Sequence, residues 1–160
     1  MSKAAAALER WKKNVGSEEG VGEWFEVDQS RIDLFADATL DHQFIHVDPE
    51  KAAKLSPYKV TIAHGFLTLS LVPHLGGQIP PVDPKAYEGL VMGVNYGLDK
   101  VRFPAPVKVG SKVRARRTLA EVEHKAPNTL QLKQVVTIEI EGESKPACVA
   151  ETLTRLVYAD

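Results

Sequence analysis

The chain has 160 residues, 44% hydrophobic and 26% charged, enough for one domain with its own core. Its 20 basic and 21 acidic residues are interspersed and leave a net charge of -1, which gives neither nucleic acid nor an anionic membrane an electrostatic foothold. A lone cysteine, Cys148, excludes an internal disulfide framework and a cysteine zinc cluster; with no apolar signal region and no run long enough to span a bilayer, a cytoplasmic setting is expected.

Residues 2–15 read as a helix, with Leu8, Trp11 and Val15 on one face. Residues 16–22, rich in glycine and acid, read as a linker. The expected organisation is therefore a helix and linker over 1–21 and one domain over 22–160. Residues 23–27 suggest a short strand. A helix follows, capped by Asp28 or Ser30, burying Ile32, Leu34, Phe35, Ala36 and Ala38 and ending near Thr39 and Leu40. Asp48 and Pro49 start a second short helix, with Ala52, Ala53 and Leu55 inside, and Ser56, Pro57 and Tyr58 break it.

Residues 61–75 are the most apolar segment. As a helix it would run about 22 Å and, being apolar all round, would be buried, with Pro73 kinking or ending it. From Leu90 the period becomes that of strands: 89–101, bulged around Gly93 and Gly97, then 111–124, 130–141 and 145–158. Turns at Pro127-Asn128 and Glu141-Gly142-Glu143 fit antiparallel hairpins. Helices followed by strands predict an α+β fold in which a curved antiparallel sheet wraps a long buried central helix.

Between the first two helices of the domain lie Asp41, His42, His46 and Asp48. Asp48 fits a helix cap and His42 points away from its neighbour Asp41, so Asp41 and His46 are the candidates for chemistry. The spacing of the four fits no common metal-ligand pattern, so no metal is expected. Gly93 and Gly97 fit bulges, not a phosphate loop, because no helix follows them.

The stretch Asp41-His42-Gln43-Phe44-Ile45-His46-Val47-Asp48-Pro49, with residues 35–40 before it, resembles the signature of MaoC-like dehydratases, the (R)-specific enoyl-CoA hydratases, and within them the NodN-like branch. Ile62-Ala63-His64-Gly65-Phe66-Leu67 resembles the second block of that family and residues 95–107 its third. The resemblance runs from about Gly22 to the end of the chain. It implies a hot-dog fold, a homodimer, and action on acyl thioesters of coenzyme A or acyl carrier protein, with no cofactor beyond the coenzyme A of the substrate.

It also implies roles. Asp41 activates water, His46 holds the same water, and the amide of Gly65 receives the thioester oxygen. His64, Phe66, Leu69 and Arg102 stand as substrate-binding positions, with Arg102 and Lys100 near the coenzyme A phosphates or simply solvated. The chain departs from the family at Leu40, where glycine is usual, at Gln43-Phe44 in place of Asn-Pro, and at Pro73, where some relatives carry a serine. The expected reaction is reversible hydration of a trans-2-enoyl thioester to the (R)-3-hydroxyacyl thioester. The alternatives are a thioesterase on the same fold, which would want an acid on the central helix where residues 66–71 offer none, and a non-catalytic acyl-binding protein.

Overall fold

In a computed structural model, residues 1–159 are described. One six-stranded antiparallel sheet runs in the order β1-β4-β5-β6-β3, with β2 added to β4. The strands are β1 (Glu18–Val21), β2 (Phe25–Glu26), β3 (Leu90–Arg102), β4 (Lys112–Ala126), β5 (Thr129–Ile140) and β6 (Cys148–Tyr158). On β5 every second residue is buried, from Leu130 to Ile140, so the period-2 pattern turns one face of the sheet inward. That face closes over α5 (Gly65–Ser70) and α6 (Val72–Gly77), placing Leu67, Leu75, Val113, Ile138 and Ala150 in one cluster with Val27 and Ile32.

The helices start where short polar side chains satisfy free amides. Asp28 accepts from Arg31 N at the start of α2 (Gln29–Thr39), and Asp48 accepts from Lys51 N at the start of α4 (Pro49–Leu55). Between them lies the single turn α3 (Phe44–Val47). Ile32 and Ala36 are the fully buried side of α2, whereas Leu34 is exposed. Leu55 also faces outward, and Ala52 alone anchors α4.

Three expectations change. The linker over 16–22 contains a strand: β1 pairs with β4, and Glu19 meets Arg117 across it at 3.0 Å. The helix before it, α1 (Lys3–Lys12), is part of the core. It lays Ala4, Ala7 and Trp11 on Leu119, Leu130 and Tyr158, while Val15 is exposed. Trp11 Nε1 donates to the Tyr158 hydroxyl at 3.1 Å, which donates to Ala86 O at 2.8 Å. Finally, the central helix is neither continuous nor buried all round. It begins only at Gly65, breaks at Leu71, restarts with Pro73 in its first turn, where proline lacks no bond, and leaves Phe66 70% exposed.

Candidate active site

Leu40 ends α2 in the left-handed region, at φ 64 and ψ 19. That turn swings the chain so that Asp41 follows the helix and α3 carries His46 back beside it. The Asp41 side chain is 52% exposed, and its Oδ1 accepts from Gln43 N at 3.3 Å. His46 is 6% exposed. Its Nδ1 lies 2.6 Å from the Ile62 carbonyl, which can only accept, so Nδ1 carries the hydrogen and Nε2 presents a bare lone pair. Gln29 fixes the same turn: its amide donates to His46 O at 2.7 Å, and Thr61 Oγ1 donates to it at 2.5 Å. Burial pushes the His46 pKa below its ordinary 6.5. The Ile62 carbonyl opposes that, His64 adds to it, and Asp41 opposes it again.

His64, expected either as a substrate contact or as a residue that positions the loop before the buried helix, is 3% exposed and stands behind the pair. Its ring stacks on His46, centroids 3.8 Å apart at 21°. Its Nε2 donates to the Asp41 carbonyl at 3.0 Å and lies 4.0 Å from the Asp41 carboxylate. Its Nδ1 is buried without a partner. Gln29, Thr61 and the stacking of His64 were not read from the sequence. The one signal available was that His64 immediately precedes the glycine of the second block.

Gly65 opens α5. The first bond of that helix runs from Thr68 N to His64 O, so the amides of Gly65, Phe66 and Leu67 have no partner within the helix. A Cβ here would crowd the Phe103 ring at 3.0–3.2 Å, so a larger residue would push that half-exposed ring aside. Leu69, one turn on, lines a cleft of about 420 Å³ between the helix pair and strands β3 and β6. Asp41 and His46 are not in its walls; the cleft begins one turn along α5 from Gly65. Phe66 stands exposed against Phe103 at 6.2 Å. Arg102 is exposed, its guanidinium donating to its own neighbour's carbonyl, Val101 O, at 2.8 Å. Lys100 lies 3.9 Å from Glu151. His42 turns away from the site to Asp37, at 2.8 Å.

Ligand-type atoms of Asp41, His46 and His64 lie within 4.8 Å of one another. Near-parallel stacked rings send their lone pairs side by side, which suits a tetrahedral ion poorly. Cys148 is buried, its thiol pushed up to about 11 by desolvation, and offers no thiolate nucleophile. The Asp41 carboxylate and a ring nitrogen of His46 thus lie within 4.8 Å of each other, and His64, which joins them, is the residue before the start of α5. Such an arrangement can hold one water by both hydrogens with its oxygen lone pair free to attack.

Residues 12–142 match the family model described as MaoC like domain. The chain is 51% identical over 142 residues to "3-hydroxyacyl-thioester dehydratase Z" of Mycobacterium tuberculosis, covering 89% of this chain and 90% of that one. It is 51% identical over 145 residues to "Nodulation protein N" of Rhizobium leguminosarum bv. viciae, covering 90% and 87%. Among solved structures, the MaoC-like dehydratase from Rhodospirillum rubrum superposes with a TM-score of 0.70 at 18% identity, covering 91% and 94%. The (R)-hydratase from A. caviae involved in PHA biosynthesis superposes with a TM-score of 0.64 at 24% identity, covering 84% and 94%. The hot-dog fold expected from the sequence is the fold they share.

Proposed function

The chain belongs to the MaoC-like dehydratase family, and from that premise we propose that it catalyses the reversible hydration of a trans-2-enoyl thioester to the (R)-3-hydroxyacyl thioester. The observation that carries the reading is the pairing of the Asp41 carboxylate with a His46 whose Nδ1 is tied to Ile62 and whose Nε2 is bare. The curated relative named as a 3-hydroxyacyl-thioester dehydratase supports the same direction.

His46 Nε2 and the Asp41 carboxylate each accept a hydrogen of one water. Its oxygen attacks the β-carbon while Asp41 takes the proton, and the pair returns that proton to the α-carbon. The electron pair of the double bond moves through the thioester oxygen, which the Gly65 amide receives as it becomes negative. Low basicity enforced by burial keeps His46 neutral near pH 7, the form this role needs. Coenzyme A or acyl carrier protein is the carrier, coenzyme A entering only as part of the substrate, and we read the exposed Arg102 as a contact for its phosphates.

A second copy of the chain completes the site. Asp41 is half exposed, and beside it Phe66, Phe103 and Leu40 leave an uncovered apolar rim. The edge strand β3 adds Val91, Met92, Val94, Tyr96 and Leu98, a long unblunted edge of the kind that pairs with another chain. The test is the loss of crotonyl-CoA absorbance on adding the protein. Wild type should hydrate it, and Asp41→Asn should lose on the order of 10²–10⁴ in turnover with its fold intact by circular dichroism. A mutant with normal turnover would sink the assignment of Asp41.

The thioesterase alternative finds no support on α5, whose Gly65–Ser70 run holds no acid.

A further inference from the structure

The inward face of the sheet is divided. One apolar cluster holds Val113, Ala115, Ile138 and Ala150; a second holds Leu119, Leu130, Leu156 and Tyr158. Between them four neighbouring strands each present a polar residue at about one level. Arg117 on β4 sits at the inward position between Ala115 and Leu119, and Gln134 on β5 between Leu132 and Val136. On β6 the inward positions are Thr152, paired with Gln134, and Thr154, paired with Asn95 of β3. Alternation alone would fill these positions with aliphatic residues, and a buried polar group is unfavourable unless something polar meets it.

Part of the band is occupied by the protein itself. Arg117 Nε and Gln134 Nε2 both donate to Glu19 Oε2, at 3.0 and 2.6 Å, and Arg117 Nη1 donates to Gly76 O at 3.3 Å. The Glu19 and Arg117 side chains are 4% and 16% exposed. Thr152 donates to Gln134 O at 3.3 Å. The rest lines space. A cavity of about 240 Å³ has Asn95, Thr152, Thr154, Gln134 and Arg117 in its wall. It shares Val72, Pro73, Asn95 and Thr152 with the 420 Å³ cleft that starts at Leu69. From Gly65 to Pro73 is roughly 12 Å along the helix axis at about 1.5 Å per residue, the direction an acyl chain held at Gly65 would take.

We infer that the inner cavity recognises a neutral oxygen function, a hydroxyl or keto group, on the far part of a medium-length acyl chain. The inference rests on the acyl-thioester reading above and names the substrate class for it. Glu19 neutralises Arg117, so the band offers hydrogen-bonding groups without an uncompensated charge. A carboxylate tail would find no free cation there, and a plain alkyl tail would leave the band's groups facing hydrocarbon.

The test measures binding, so it does not depend on turnover. Two saturated, unreactive thioesters of equal length, decanoyl-CoA and a decanoyl-CoA hydroxylated near its end, are titrated into the protein by calorimetry. Wild type should bind the hydroxylated chain about tenfold more tightly, the gain of roughly one good hydrogen bond. Thr154→Val and Thr152→Val, close in size and lacking the hydroxyl, should each narrow that gap while the plain chain still binds. Equal or tighter binding of the plain chain by wild type would overturn the inference, as would valine variants that keep the full preference. If neither thioester binds and crotonyl-CoA is not hydrated, the acyl-thioester reading falls with it; if crotonyl-CoA is hydrated and neither decanoyl chain binds or the plain chain is preferred, only the polar tail is lost.

Discussion

Leu40 holds a left-handed conformation with its side chain 81% exposed, so it carries strain and buries little. A non-glycine residue there costs about 1–2 kcal/mol relative to the right-handed helix, and glycine escapes most of it. Leu40→Gly should therefore stabilise the fold by about 1 kcal/mol, a rise of roughly 2–4 °C in Tm, with crotonyl-CoA hydration retained. An unchanged or lower Tm would mean that leucine is supported by a contact in the assembled protein. At His46 the sign of the pH effect follows from its depressed pKa. The unfolded chain takes up its proton near 6.5, before the folded one does. The stabilising contribution is complete above 6.5 and is lost as pH falls through the window below it, and the acid limb of kcat/KM lies in that same window. His64→Asn removes the stacked ring that shields His46 and, with it, the opposition of His64 to its protonation. It should move the acid limb upward, towards 6.5, alongside any drop in kcat. A fall in kcat with an unmoved limb would reduce His64 to a structural role.

The elements divide into those whose reasons are local and those whose reasons are distant. The caps of α2 and α4 were legible because Asp28 and Asp48 bond amides three residues away. Strands β4, β5 and β6 were legible because alternation is a local pattern that burial on one face makes necessary. The strand β1 was not. Glu18-Glu19-Gly20-Val21 has no strand-like alternation, and it is held by pairing with β4 and by the Glu19–Arg117 ion pair, 98 positions away. The contact face of α1 was legible in part: Trp11 and the half-buried Leu8 lie on it, Val15 does not, and Ala4 and Ala7, whose small side chains permit close approach to the sheet, carry no such mark in the sequence. In the site, Asp41 and His46 stood out by residue type, and Gly65 through the resemblance of residues 62–67 to the second block of the family. Gln29 and Thr61, which fix His46, carry no local mark, because their partners lie 17 and 32 positions off. The docking of α1 makes a prediction of its own. Trp11→Ala removes a side chain that fills the second core cluster and leaves the Tyr158 hydroxyl without its donor. It should cost about 3–5 kcal/mol in urea unfolding. A loss below about 1 kcal/mol would mean that α1 contributes little to the core.

At the scale of the whole molecule, the sheet has a well-covered side and an open one. β1 and β2 close one flank, whereas β3 runs 13 residues along the other with nearly every residue exposed, apolar and polar alike. Its own Tyr96 and Leu98 form the outer wall of the cleft. Soluble chains blunt such edges with charge, proline or cover, and within 90–98 this one has no charged residue. A second copy paired along β3 would cover the edge and the cleft at once, so assembly and activity should fail together. Val94→Lys places a charge in the middle of that edge. Light scattering should find wild type as a dimer and the variant as a monomer at the same concentration. Hydration per chain should fall in proportion to the dimer lost, and dilution of wild type through its dissociation range should trace the same curve. A monomeric variant with undiminished hydration would assign the complete site to one chain and leave β3 an edge with another partner.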